Sequence, residues 1–153
     1  MCGIVGFTGK RSPALLDSLL SQIQHRGYDE TFTSFLPGIN MGMNRLTIND
    51  LTKNLYPMKF KHFLLHFNGE IYNFPQLKSH LLKKGIKLKS KCDAEVILPL
   101  YTLHGPNSFT KLEGMFALSI YDTQKKQLIL ARDKAGEKPL YFTKTKNFMF
   151  SSE

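Results

Sequence analysis

The sequence predicts an α+β fold in which antiparallel sheets pack against helices lying outside them. Three observations predict it. Apolar runs bounded by Gly, Pro and Asp recur as strands through the chain, three stretches carry one-face helical spacing, and the two kinds do not alternate as the βαβ units of a parallel sheet would. At 153 residues the chain suits one domain, 1–153, large enough to bury a core without disulfide or metal staples.

The first strand follows Cys2 through Ile4-Val5-Gly6-Phe7. Ser12-Pro13 reads as an N-cap with proline at the first helical position, and Leu15, Leu16, Leu19, Leu20 and Ile23 place one side of that helix in the core. Gly27 is available for the left-handed conformation that closes it. From Thr31 to Leu46 the pattern is β, folded back at Pro37-Gly38, and the polar stretch from Thr47 to Met58 reads as a long loop. A buried strand at Phe63–Phe67 runs into Asn68-Gly69-Glu70-Ile71-Tyr72-Asn73. Asn73 and Pro75 then open a helix carrying Leu77, Leu81 and Leu82, stopped by Gly85. A short basic strand is expected over Ile86–Lys89. Asp93 reads as the N-cap of a third helix, which Pro99 should kink and Gly105-Pro106 should end. Met115–Tyr121 and Gln127–Ala131 form a hairpin, and strands around Pro139–Phe142 and Phe148–Ser152 complete the chain.

Charge sorts the partners. The chain has 21 Lys and Arg against 12 Asp and Glu, a net +9 and a pI near 9.6. The excess is mostly lysine in expected turns, including Lys53, with one cluster at Lys83, Lys84, Lys87, Lys89 and Lys91. Arginine forks, which sequence readers favour, occur only at 11, 26, 45 and 132. A solvated basic face is the first reading and docking of an acidic partner the second; nucleic acid is not expected. Cys2 and Cys92, ninety residues apart, form no zinc or disulfide pattern, so no metal is expected and the chain reads as cytosolic. No apolar run approaches membrane-spanning length.

Cys2 is the candidate nucleophile. Loss of Met1 would expose an α-amine with a pKa of roughly 7.7–8.0, which can serve as the base for its own thiol. The plainer reading makes Cys2 one more buried apolar residue. Asn68-Gly69 offers an amide side chain and an unobstructed backbone N–H as oxyanion donors, although Asn-Gly is also a common turn. Arg45 at a strand end offers a fork for a carboxylate, and Glu70 and Asp93 are candidate partners for an ammonium; a surface ion pair and a helix cap are the alternatives.

The ordered segments Met-Cys-Gly-Ile-Val-Gly, His-Arg-Gly-Tyr-Asp, Arg-Leu-Thr-Ile, Phe-Asn-Gly-Glu-Ile-Tyr-Asn, Asp-Ala-Glu-Val-Ile-Leu, Gly-Met-Phe-Ala, Arg-Asp-Lys-Ala-Gly-Glu-Lys-Pro-Leu-Tyr-Phe and Ser-Ser-Glu span the chain. Together they resemble the class II glutamine amidotransferase domain, most closely the N-terminal half of glutamine-hydrolysing asparagine synthetases. The resemblance implies the N-terminal nucleophile hydrolase fold, a four-layer αββα sandwich of two antiparallel sheets between helices. It implies hydrolysis of glutamine to glutamate and ammonia. In that reading Cys2 is the nucleophile, with Asn68 and Gly69 as the oxyanion hole. Arg45 and the backbone around Ile48 hold the α-carboxylate end, Glu70 and Asp93 bind the α-ammonium, and Arg26 supports the N-terminus. The Arg132–Phe142 segment resembles the family's structural and interdomain segment.

Three positions depart from the synthetase pattern: Tyr28 stands where proline is usual, Tyr56 where glutamine precedes Pro57, and Cys92 where a small hydroxyl residue is common. The Tyr28 spelling is closer to that of glucosamine-phosphate-forming amidotransferases. The chain carries no Ser-Gly-Gly-x-Asp loop, so no cofactor is expected here; ATP and Mg would belong to a synthetase domain that is absent or on a partner chain. A homodimer stays open. The rival readings are a silent binding or regulatory module that retains Met1, and a remnant of a truncated synthetase.

Overall fold

The computed structural model describes residues 1–48 and 55–153. The chain forms β1 (Gly3–Thr8), α1 (Pro13–Gln22), β2 (Glu30–Leu36), β3 (Ile39–Arg45), β4 (Met58–Phe60), β5 (Phe63–Ile71), α2 (Phe74–Lys83), α3 (Ile97–His104), β6 (Gly114–Asp122), β7 (Gln127–Arg132), β8 (Tyr141–Lys144) and β9 (Phe148–Ser151). Short 3-10 turns cover Gln24–Arg26, Asp93–Val96 and Gly105–Lys111. Two antiparallel sheets result, one ordered β2-β3-β1-β9-β8 and the other β4-β5-β6-β7.

Strand alternation builds the layers. Val5 and Phe7 point to one face of the first sheet, where Leu16, Leu20 and Ile23 of the α1 region cover them. Ile4, Ile39, Met41 and Met43 point to the opposite face, toward the second sheet, and Tyr121 of β6 crosses the gap to donate to the Pro37 carbonyl at 3.1 Å. On the outer face of the second sheet, Phe63 meets Tyr101 of α3 edge-on at 5.3 Å between ring centroids. Helix, sheet, sheet and helices therefore stack as four layers, which is the αββα architecture expected.

Several local expectations change. Gly27 is extended, at φ −175°, instead of left-handed; glycine is required because a Cβ would stand 2.5 Å from the Arg45 carbonyl carbon. Asn68-Gly69 is not a turn but the continuous body of β5. Residues 86–89 form no strand: the Glu95 carboxylate captures the Lys89 and Ser90 amides at 2.5 and 2.6 Å, so those donors are unavailable to a ladder. Asp93 stands one residue inside a 3-10 turn whose N-cap is Cys92. Because α3 begins only at Ile97, Pro99 lies in its first turn, where a missing N–H leaves no hydrogen bond to break and imposes no kink. Ser12 occupies the N-cap of α1 but caps with no side-chain bond. Of the loop expected over Thr47–Met58, residues 49–54, Lys53 among them, lie outside the described residues, and Met58 begins β4. No described helix is long and apolar enough to cross a membrane.

Candidate active site

The two ends of the chain meet at Cys2. The Ile4 amide donates to the Ser152 hydroxyl at 3.0 Å, and the Ser152 amide returns a bond to the Ile4 carbonyl at 2.9 Å. Arg26, buried in the 3-10 turn after α1, donates from Nε to the Cys2 carbonyl at 3.1 Å and from NH1 to Glu153 at 2.7 Å. The backbone of Cys2 is thereby held from below while its thiol faces the Leu46 carbonyl, 3.7 Å away. Burial pushes the Cys2 thiol above its ordinary pKa, with Arg45 and Arg26 pulling the other way. It is consequently a thiol at neutral pH and needs a base to react.

β5 supplies the wall opposite. Asn68 is buried, and its amide nitrogen has no hydrogen-bond partner among the described residues. Gly69 follows at φ +155°, where a Cβ would lie 2.1 Å from the Met115 carbonyl oxygen. Only glycine allows β6 to approach this closely. Glu70 continues the same wall.

The remaining groups enter from three elements. Arg45 closes β3, its guanidinium bonded to Glu30 at 2.6 Å and 5.9 Å from the centre of the Tyr56 ring. Asp93 accepts the Ile71 amide at 2.5 Å; burial nevertheless raises its carboxyl above the usual value. The Cys92 thiol lies 3.8 Å from the other Asp93 oxygen. The Ile48 side chain is exposed at the rim. Cys2, Arg45, Ile48, Asn68, Gly69, Glu70 and Asp93 all line one cleft of about 340 Å³, so every site residue named from the sequence meets there.

Three further residues of the site were not predicted. Tyr56 lines the cleft; Lys138, buried, lines it too and donates to the Met1 sulfur at 3.3 Å; Glu30 braces Arg45. For Glu30 a signal existed, because a two-residue Pro37-Gly38 turn places position 30 opposite 45 in the hairpin register. For Lys138 there was none. Among the described residues, no group of three or more His, Cys, Asp and Glu side chains could hold a metal ion. What the cleft does assemble is a thiol, an amide donor beside a bare backbone N–H, a guanidinium and two carboxylates.

Comparison with known proteins gives the family and the fold. A family profile for the glutamine amidotransferase domain matches residues 1–153. Asparagine synthetase [glutamine-hydrolyzing] 1 of Bacillus subtilis is 34% identical over 152 residues, a match covering 94% of this chain and 24% of that protein. Asparagine synthetase [glutamine-hydrolyzing] 2 of Oryza sativa subsp. japonica is 35% identical over 148 residues, covering 92% and 25%. The chain thus spans about a quarter of the length of the relatives it matches. Among solved structures, the glutamine phosphoribosylpyrophosphate amidotransferase of B. subtilis superposes with a TM-score of 0.83 at 22% identity, covering 99% of this chain and 42% of that one. The fold is that of the N-terminal nucleophile hydrolases, and the chain belongs to the glutamine amidotransferase domain family.

Proposed function

We propose that the chain hydrolyses glutamine to glutamate and ammonia, with Cys2 as nucleophile once Met1 is removed. The observation that carries the reading is Asn68: a buried amide nitrogen without a described partner, next to the Gly69 N–H, on the same cleft as the Cys2 thiol. Such paired donors favour the charge of a tetrahedral intermediate over the ground-state carbonyl. The exposed Met1 precedes a small residue, which suits its removal.

In the processed chain the α-amine takes the thiol proton, and sulfur attacks the side-chain amide carbon of glutamine. Asn68 and Gly69 receive the oxyanion. The same amine, now an ammonium, protonates the departing nitrogen, so that ammonia leaves and a thioester to Cys2 remains. Water then attacks the thioester, the amine again accepting a proton, and releases glutamate and the thiol. Arg45 holds the substrate α-carboxylate beside the Ile48 rim, and Glu70 and Asp93 take its α-ammonium. Each of these steps uses groups of the chain and water. We further place the chain in the cytosol and propose that its ammonia serves an acceptor domain or partner of the asparagine synthetase type, where ATP and Mg would be needed.

Intact mass and glutamate release on one sample test this. Chain lacking Met1 should release glutamate, and Cys2→Ala should abolish release with an unchanged melting curve. Release from Cys2→Ala at the parent rate would overturn the mechanism, and retained Met1 with no release would favour a silent module.

A further inference from the structure

Resting on that reading, we infer that Glu95 is a positioning residue for substrate recognition: its carboxylate folds residues 89–92 into the loop that presents Asp93 to the α-ammonium of glutamine. Residues 84–92 belong to no helix or strand, so no ladder fixes the approach to Asp93. Glu95 supplies that order. Its Oε1 accepts the Lys89 amide at 2.5 Å, and its Oε2 accepts both the Ser90 amide and the Ser90 hydroxyl at 2.6 Å. The same hydroxyl accepts the Cys92 amide at 3.1 Å, and the Glu95 amide closes the circuit by donating to the Cys92 carbonyl at 3.1 Å. Cys92 is thereby held at both its amide and its carbonyl, and Asp93 follows it directly.

The Asp93 side chain is fixed from the opposite side. Its Oδ2 takes the Ile71 amide of β5 at 2.5 Å. Its Oδ1 has the Cys92 thiol, a weak donor, 3.8 Å away and keeps capacity for an ammonium. Asp93 lines the cleft and Glu95 does not, so Glu95 reaches the substrate only through Asp93. The negative charge of Glu95 is what suits it to this task. Three donors converge on its two oxygens, an arrangement that an ionised carboxylate satisfies; a glutamine amide of the same shape would turn N–H groups toward donors. Misplacing Asp93 should weaken the hold on the substrate amino group and leave the chemical step at Cys2 intact.

The test compares glutamine with glutaramate, the same molecule without its α-amine, by ammonia release from the full processed chain carrying Glu95→Gln, Asp93→Asn or both. Glu95→Gln should lower kcat/KM about tenfold for glutamine, through KM with kcat within about twofold, and less than twofold for glutaramate. Because Glu95 acts through Asp93, the double variant should be no worse than Asp93→Asn alone. Ser90→Ala removes only the hydroxyl from the circuit and should act in the same direction by a smaller factor; it decides the question if a melting curve shows Glu95→Gln to be unfolded. No effect, equal losses with both substrates, a loss confined to kcat, or losses that multiply in the double variant would each sink the assignment. The underlying reading fails in other ways. If Asp93→Asn affects both substrates alike, Asp93 is not the ammonium partner and both fall; if it discriminates and Glu95→Gln does not, Glu95 alone falls. If the parent chain binds glutamine but releases no ammonia, hydrolysis fails while calorimetric Kd values for the same two ligands still decide Glu95; if it binds neither, both fall.

Discussion

Acid should unfold this protein partly through His66. The residue sits in the middle of β5 with no exposed surface, and neither ring nitrogen has a hydrogen-bond partner among the described residues. Its register partner Ser119 is equally buried, with a hydroxyl also lacking a described partner. Burial lowers the His66 pKa from 6.5 to about 4. Below pH 6.5 the unfolded chain therefore takes up a proton that the folded chain refuses. The stability from a neutral His66 is fully present above 6.5 and is lost as pH falls toward 4. Going from pH 7 to pH 5 should cost about 2 kcal/mol from this residue alone. In a domain of this size that is a fall of roughly 4–8 °C in Tm. His66→Leu removes the titration at similar volume and should be as stable as the parent at pH 7 or more so, because it also removes two buried polar atoms without partners. Urea unfolding of both proteins at pH 7 and pH 5 isolates the effect, since other titrating groups are common to the pair. A pH 7-to-5 loss equal in parent and variant would refute the reasoning.

Two other perturbations follow from the cleft. Gly69→Ala combines a φ of +155° with a Cβ 2.1 Å from the Met115 carbonyl oxygen, and both obstacles are backbone, so it should destabilise by about 2 kcal/mol or more in denaturant unfolding; parent-like stability would mean that β5 and β6 can separate freely. Arg26→Ala removes the bonds to the Cys2 carbonyl and Glu153 together, and in steady-state glutaminase assays should lower kcat about tenfold or more with KM within twofold. Arg26→Lys should not rescue it, because a single ammonium cannot reproduce the fork that spans both acceptors; full rescue would reduce Arg26 to a mere positive charge.

How much of this was legible in the sequence depended on whether the responsible contact was local. Strand alternation, the Pro37-Gly38 hairpin and the Ser12-Pro13 helix start are set within a few residues, and each formed where the pattern placed it. The turn reading weighed beside the oxyanion one for Asn68-Gly69 fails because its glycine answers a neighbour 46 positions away in the chain: it makes room for the Met115 carbonyl of β6 instead of reversing β5. Gly27 is the same case, shaped by the Arg45 carbonyl and not by the helix it follows. Asp93 carries a capping residue's chemistry, yet its carboxylate is spent across elements on the Ile71 amide, which anchors it at the cleft.

That distinction also explains why the chemical groups were easier to name than their supports. A nucleophile, an amide donor or a guanidinium is recognisable by residue type wherever it lies. A supporting residue is recognisable only by what it touches. Arg26, whose support of the N-terminus came only with the family resemblance, joins Cys2 to Glu153, and Tyr56 connects Phe32 of β2 to Arg45 at the end of β3. Glu30 shows the boundary between the two classes. It too is a support, but the hairpin that pairs it with Arg45 has a two-residue turn, so counting outward from Pro37-Gly38 reaches 30 and 45 together. A support fixed by strand register can therefore be read in advance, whereas one fixed by packing between separate elements, such as Tyr56, becomes visible only when the sheets are stacked.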